Sequence, residues 1–330
     1  MKRRTVLTTT MAVSFSMIGT LALAQAAAPF PNKTITLFVP YPAGGISDAQ
    51  ARLIAPHLSK TLGQSVVVEN LTGASGSIAA QKMLSQPADG HSIMVVSPSE
   101  TILPPLTIAG LKYQAEDFKL LANGIAAPTA LLARPTLEIN NVTELLAYSA
   151  DKSKKDLSYG SVGLGSMPHL TAADFAQRTG AKPLHVPYRG GAPLLQDMMA
   201  GQIDLAFMPF AGPILGMVAS GKLKVIGLAT STKIPELAQF KVLNDAPALK
   251  DFNYPVWSTF AVSKSVPDDA ANKLNKALND IMQLPDVLAW VKAAGSFVPP
   301  SFNLKQADDF YQSEIRKIRG LAKTVNLQAQ

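Results

Sequence analysis

The sequence contains no cysteine. This absence excludes disulfide bonds, thiol catalysis and cysteine-ligated metals, so stability must come from the burial of apolar side chains. Hydrophobic residues make up 47% of the 330 residues, which is enough to build such a core.

Long apolar runs are lacking beyond the N-terminal segment. No later stretch reaches the length of about 18 apolar residues that a membrane-spanning helix needs. At the N-terminus, Lys2, Arg3 and Arg4 precede an uncharged stretch over 5–22, and small residues follow. This order predicts a cleaved signal peptide over 1–26 and export to the periplasm. The pair Arg3-Arg4 leaves both the general and the twin-arginine export routes open.

Dense basic patches are also missing. The formal net charge is +7, but the charges are spread along the chain and the clusters are short, as at Lys152, Lys154 and Lys155. Nucleic-acid binding requires denser clusters, so we exclude a nucleic-acid partner.

Signatures of catalysis are incomplete. Residues 73–77 lack the final glycine of a nucleophile elbow, and Pro168 stands where a dinucleotide fingerprint needs glycine. The histidines are scattered without metal-ligand spacing. We therefore predict no catalytic residue, no metal and no cofactor, and expect that the protein is not an enzyme. A secreted hydrolase and a ligand-binding sensor stay open as alternatives.

Strand-like and helix-like segments alternate along the chain. Apolar runs at 34–40, 65–69 and 92–97 flank helical patterns at 48–62 and 76–84. Alternation of this kind predicts an α/β fold with mainly parallel sheets flanked by helices. About 300 residues remain after the signal peptide, a length that suits two domains.

Three glycine-rich turns lead into helices, at 39–48, 71–77 and 160–169. Glycine lets the backbone approach a ligand or adopt positive φ, and a helix N-terminus attracts carboxylates. Ser47 or Asp48 is expected to cap the first helix, and Ser166 the helix after the last turn. Each turn alone is also consistent with a plain strand-to-helix connection. The three together indicate an anion held by backbone amides.

Several segments in the same order resemble the Bug-type substrate-binding proteins of tripartite tricarboxylate transporters. The segments that carry the resemblance, through nearly all of the mature chain, are 38–48, 62–70, 73–76, 87–90, 159–166, 185–190 and 201–205. The resemblance implies a type II-like Venus flytrap. Lobe one would comprise 27–127 plus 254–330, and lobe two 128–253.

The resemblance further implies a small carboxylate ligand, delivered by a monomeric receptor to integral membrane transporter subunits. The ligand class stays open between di- or tricarboxylates, acidic amino acids and aromatic acids, because 74–79, 97–101 and 207–212 depart from the family pattern. Trp257 and Arg189 would lie near the cleft, although Trp257 and Phe207 also suit a core and Arg189 a surface charge. The implied ligand-binding residues are Tyr41, Ala43, Gly44, Gly45, Ser47, Asp48, Ser97, Ser99, Gly163, Gly165, Ser166, Tyr188, Asp204 and Phe207.

Overall fold

Two five-stranded sheets organise the chain in the computed structural model, which describes residues 29–188, 190–230, 234, 237–324 and 327. The expected signal peptide and Arg189 lie outside these residues. The first sheet contains, in spatial order, β2 (Val66–Asn70), β1 (Ile35–Val39), β3 (Ser92–Val96), β10 (Val256–Ser263) and β4 (Phe118–Ala127). The second contains β7 (Leu184–Pro187), β6 (Ser158–Ser161), β8 (Leu205–Pro209), β5 (Thr129–Ala133) and β9 (Lys224–Ala229).

Helices flank both sheets, so the predicted α/β class is confirmed. Those around the first sheet are α1 (Ile46–Leu62), α2 (Ser77–Leu84), α3 (Pro98–Thr101), α4 (Pro104–Thr107), α9 (Asp268–Met282), α10 (Pro285–Ala293) and α11 (Leu304–Thr324). Those associated with the second are α5 (Val142–Ala150), α6 (Met167–Thr179), α7 (Gly191–Met199) and α8 (Pro213–Ala219). None of these helices, in the part of the chain that is described, combines the length and apolar character needed to cross a bilayer.

The prediction of mainly parallel sheets is confirmed, except that one strand in each sheet runs antiparallel to its neighbours. β1 is parallel to β2 and β3, and β6 is parallel to β7 and β8. However, β10 is antiparallel to both its neighbours, and so is β5. These are the strands by which the chain crosses between the sheets. β5 follows β4 after Pro128 alone, and β10 brings the chain back after β9.

Apolar side chains cover both faces of the first sheet. Alternate residues of a strand point to opposite faces, which places Leu37 in one core with Leu58 and Leu274, and Phe38 in another with Tyr311. The second sheet is likewise enclosed by two cores. Burial on both faces explains why the strands read as apolar runs rather than as alternating patterns.

Helix α1 positions the first glycine-rich turn. It runs through Pro56 without a break and ends at Gly63, whose φ of 69° is typical of a glycine C-cap. The helix packs into the core through Ile54 and Leu58, which are fully buried. Its N-terminus is thereby held at the carboxyl end of β1.

Candidate ligand-binding site

The predicted binding turns follow neighbouring strands. The turns after β1 and β3 lie side by side because those strands pair, and the turns after β6 and β7 are neighbours for the same reason. In α/β sheets, ligands bind in the crevice beyond the carboxyl ends of the strands. The structure therefore brings Tyr41, Ser97 and Ser99 together in one lobe, and Gly163 and Tyr188 in the other.

The turn after β1 is fixed by Asp48, which is 3% exposed. Its Oδ2 accepts hydrogen bonds from the Gly44 amide at 2.9 Å and from Arg52 Nε at 3.0 Å, and its Oδ1 accepts one from Asn70 Nδ2 at 3.0 Å. These donors, with Arg52 contributing most and Gly44 next, lower the pKa of Asp48 to about 2. Gly44 has a φ of 86°, a conformation that favours glycine. Asp48 thus contributes to the candidate site by fixing the conformation of the turn after β1.

The predicted capping of α1 by Ser47 or Asp48 is wrong. Gly45 occupies the N-cap position without a side-chain cap, because Asp48 lies inside the first turn and reaches back to Gly44 instead. Ala43, Gly44 and Gly45 are exposed and Ser47 is half-buried. The first amides of α1 therefore have no side-chain acceptor, which suits an anion.

The turn after β6 has the same character. Ser166 is at the N-cap position of α6, as predicted, but its side chain does not cap the helix, since Oγ donates to the Gly163 carbonyl at 2.7 Å. Gly163 and Gly165 have φ angles of 134° and 73°. Pro168 lies in the first turn of α6.

Two histidines support the turn after β6. The Gly165 amide donates to His169 Nδ1 at 3.0 Å. The rings of His169 and His185 stack with centroids 4.4 Å apart, and Tyr159 stacks on the other side of His185 at 4.7 Å. Sequence reasoning treated these histidines as scattered. A prediction that β6 pairs with β7 would have brought part of this cluster together, because the pairing sets Tyr159 opposite His185.

Burial lowers the pKa of both histidines. That of His185 falls to about 4, with the neighbouring His169 as the second cause, and that of His169 falls below its ordinary value. Both rings are therefore neutral at pH 7, and the unprotonated Nδ1 of a neutral His169 can accept the hydrogen bond from the Gly165 amide.

Ser161 lies in contact with His185, one of the two histidines that support the turn after β6. Ser161 Oγ is 2.7 Å from His185 Nε2, a distance that a nucleophile and its base would have. However, Ser161 is 0% exposed, so a substrate cannot reach its oxygen. Aromatic rings rather than a carboxylate flank His185. The described residues also hold no group of three side chains suited to a metal ion.

Glu100 joins the loops of the first lobe, a role that the sequence analysis missed. It is 1% exposed, and burial raises the pKa of its carboxyl group. Oε2 accepts from the Ser97 amide at 2.5 Å, and Oε1 accepts from the hydroxyl of Tyr41. Ser97 Oγ in turn accepts from the Ser99 amide at 3.2 Å. Together Ser97 and Glu100 form a capping box at the start of α3.

The two lobes approach each other at the glycine-rich turn after β6. A Cβ atom added to Gly165 would lie 2.2 Å from Thr107 Cγ2, so α4 of the first lobe touches the turn after β6. Gly212 and Ala294 form a second link, a backbone hydrogen bond of 2.8 Å. These two contacts place the turn after β6 at the boundary between the lobes.

Three expected cleft residues are placed elsewhere. Asp204 precedes β8, at the amino end of the strand, where its carboxylate accepts from Arg134 Nε at 2.7 Å and from the Ser158 amide at 2.8 Å. Phe207 is 2% exposed and packs in the core of the second lobe, and Trp257 is 6% exposed and donates to Glu314. These corrections favour the core interpretation of both aromatic residues. Asp204 was expected in the cleft from the family resemblance alone, and the structure places it at the opposite end of its strand from the turns.

Comparisons with known proteins agree with this architecture. A family model described as tripartite tricarboxylate transporter family receptor matches residues 50–327. A protein encoded between tcbD and tcbE in Pseudomonas sp. (strain P51) is 30% identical over 284 residues, which cover 86% of this chain and 84% of that protein. BugT of Bordetella pertussis is 27% identical over 92% of this chain and 94% of its own length.

Two solved structures have the same fold over most of the chain. Rpa4515 of R. palustris, determined with adipate, superposes with a TM-score of 0.79 at 26% identity, covering 91% of this chain and 100% of that one. MatC of Rhodopseudomonas palustris, with bound malate, gives a TM-score of 0.75 at 26% identity over 88% and 99% of the two chains.

Proposed function

The chain belongs to the tripartite tricarboxylate transporter receptor family of periplasmic solute-binding proteins, the Bug family, and from this premise we propose a more specific role. We propose that it binds a small carboxylate between its lobes and delivers the ligand to the membrane subunits of a tripartite transporter. The family consists of solute receptors and is not a class of enzymes. The periplasm is the proposed location.

The proposal depends mainly on one feature, the pair of glycine-rich turns at the carboxyl ends of β1 and β6, one in each lobe. We infer that the two turns face each other across a cleft. Each precedes a long helix whose first amides lack a side-chain cap. The partial positive charge of such helix ends attracts a carboxylate, and water can bridge the gap nearly as well as a direct bond. Adipate and malate, recorded with the two similar structures, are both dicarboxylates.

The proposed lobes are 27–127 plus 254–330, and 128–253, each built around one of the two sheets. The proposed site residues are those at the carboxyl ends of β1, β3, β6 and β7: Tyr41, Ala43, Gly44, Gly45, Ser47, Asp48, Ser97, Ser99, Gly163, Gly165, Ser166 and Tyr188. Among them, Asp48 and Ser166 are proposed to act by shaping their turns. A ligand that touches both lobes favours the closed arrangement, which the membrane subunits would then recognise.

The test is a thermal-shift screen of the purified protein against organic acids, followed by titration calorimetry. At about a hundred times its dissociation constant, a ligand should add about 2.7 kcal/mol to the free energy of unfolding. Neutral amides of the same acids serve as controls. Stabilisation by the amides and the acids alike, or by neither, would contradict a carboxylate receptor.

A further inference from the structure

The contact between Gly165 and His169 fixes the chemical state of the histidine. The Gly165 amide donates to His169 Nδ1 at 3.0 Å, within the first turn of α6. A backbone N–H can only donate, so Nδ1 presents a lone pair and carries no hydrogen. A neutral ring then has its hydrogen on Nε2. The geometry therefore requires one charge state and one tautomer of His169.

Gly165 is also the residue by which this turn reaches the other lobe. A Cβ atom added to it would lie 2.2 Å from Thr107 Cγ2 of α4. Gly163 and Gly165 both have positive φ, and a segment with two glycines has many alternative backbone conformations. A contact from outside the turn is needed to select one of them. The bond to His169 provides that contact at the residue where the lobes meet.

His185 packs against His169 and connects it to the other glycine of the turn. The two rings are nearly parallel, at 10°, with centroids 4.4 Å apart. His185 Nε2 is 2.7 Å from Ser161 Oγ, and that oxygen donates to the Gly163 carbonyl at 3.0 Å. Two positively charged rings at such a distance would repel each other, so the stack favours neutral histidines. Both glycines of the turn thus depend on an uncharged pair.

Few titratable groups among the described residues face His169. His185 from β7 stacks on it, and Tyr159 from β6 stacks on the far side of His185. Neither α4 nor β8, nor the segments 163–168 and 247–249, contains an ionisable side chain. Charged side chains on the helices packed here are paired with partners of their own: Asp174 with Arg178 on α6, Glu314 with Lys317 on α11, and Glu116 with Arg319 of α11.

We propose that His169 is a positioning residue that controls ligand affinity through Gly165, and that protonation of its ring weakens binding. A proton added to the neutral ring goes to Nδ1, which then becomes a donor facing the donor of Gly165. The bond is lost, and the turn is free to leave its conformation before the ligand arrives. Binding must then order the turn again, which reduces the apparent affinity. This inference rests on the proposed function, because it takes the turn after β6 as part of the ligand site.

The direction of the pH dependence follows from burial. Burial lowers the pKa of His169 below its ordinary value of 6.5, so the ring is neutral at pH 7 and gains its proton only in more acid solution. Affinity is therefore complete at pH 7 and decreases as the pH falls through the pKa of His169. Positive charge on the ring would by itself attract a carboxylate, so the sign of the change decides which effect is larger.

The experiment is titration calorimetry at pH 7 and at about pH 5, with whichever of succinate, malate, glutarate, adipate, glutamate and benzoate binds the wild type most tightly. His169→Asn keeps an acceptor, because Asn Oδ1 takes the place of Nδ1, but cannot be protonated in this range. His169→Leu removes the acceptor. At pH 7 the Asn variant should bind within about threefold of the wild type and the Leu variant about tenfold more weakly, the size of one lost hydrogen bond.

The comparison of the wild type with the Asn variant isolates the titration of His169. On acidification to about pH 5, the wild type should lose about three- to tenfold more affinity than the Asn variant. Protonation of the acid itself affects both proteins and cancels. The ¹⁵N spectrum of the ring nitrogens is a second measurement: Nδ1 of His169 should lack a hydrogen at pH 7 and gain it over the pH range in which the affinity falls.

His91 provides a matched control. Its Nε2 also accepts a backbone amide, that of Asn32 at 3.1 Å, but it precedes β3 and so lies at the opposite edge of the first sheet from the turns. His91→Leu should lower the melting temperature and leave both the affinity and its pH dependence unchanged. A purely structural role of His169 would give the same pattern in His169→Leu.

Three results would overturn the inference while the receptor function stands. They are unchanged affinity in His169→Leu, an Asn variant as weak as the Leu variant, and a wild type that gains affinity in acid relative to the Asn variant. Failure of every acid to bind the wild type defeats the proposed function, and the inference with it. If a variant does not fold, the ring spectrum of the wild type decides: a hydrogen on Nδ1 at pH 7, or a titration that does not coincide with the change in affinity, contradicts the role of His169.

Discussion

Asp48 shows how a charged side chain can serve an anion site without touching the anion. Its carboxylate is saturated by Gly44, Arg52 and Asn70, so the negative charge is neutralised within the loop. The motif identified the loop and the glycines from sequence. The bond to Gly44 could not be foreseen, because a helix start with Ser47 and Asp48 in succession looks like an ordinary cap.

Replacing Asp48 by Asn should lower the free energy of unfolding at neutral pH by about 2 kcal/mol, since charge-assisted hydrogen bonds are lost. The pKa of Asp48 is about 2 in the folded protein against an ordinary value of 3.8, so its contribution is complete above pH 3.8 and disappears as the pH falls through 2. The difference between wild type and variant in chemical denaturation should shrink over that interval. Asp89, whose pKa is also about 2, titrates in both proteins and cancels from the difference. A difference that does not change with pH would contradict the ionised role of Asp48.

Ser166→Ala tests whether that serine contacts the ligand or only shapes its loop. Because Oγ donates to Gly163, we expect a loss of about 1 kcal/mol in stability and less than a tenfold change in affinity. Calorimetry and melting curves on the same preparation measure the two effects. An affinity loss well above tenfold with an unchanged melting temperature would place the hydroxyl on the ligand.

At the scale of helices and strands, much of the architecture could be predicted. Alternating apolar and helical patterns located β1, α1, β2 and β3, and the glycine-rich turns located the helix starts. The antiparallel direction of β5 and β10 could not be read from their composition, because a strand buried on both faces looks alike in either direction. Asp204 was misplaced for another reason: its position was taken from the family resemblance, whereas it lies at the amino end of β8, away from the turns.

The turn between β6 and α6 offers a test of lobe closure. Gly165→Ala places a methyl group against Thr107, whereas Gly180→Ala adds one in open space. The two glycines have φ angles of 73° and 72°, so the backbone strain should be similar, about 1–2 kcal/mol. We expect both variants to melt earlier, but only Gly165→Ala to lose more than tenfold in affinity by calorimetry. Equal affinities would mean that the contact with Thr107 is dispensable for binding.

For the molecule as a whole, we expect binding without turnover. A stabilising acid incubated with the protein should be recovered unchanged by mass spectrometry, because the buried Ser161 cannot reach a substrate. Ser161→Ala should likewise return the acid unchanged. Steady consumption of the acid that this substitution abolishes would instead establish a hydrolase.

The path of the chain also governs the order in which the protein can be assembled. β10 lies between β3 and β4, yet its residues follow the entire second sheet in sequence. A chain emerging from its N-terminus can complete the second sheet from one continuous segment while β3 and β4 still lack their shared partner. Unpaired strand edges are templates for aggregation, so a newly synthesised chain is prone to aggregate until Val256–Ser263 has been added. Premature termination before β10 would leave a complete second sheet attached to a first sheet that lacks its strand between β3 and β4.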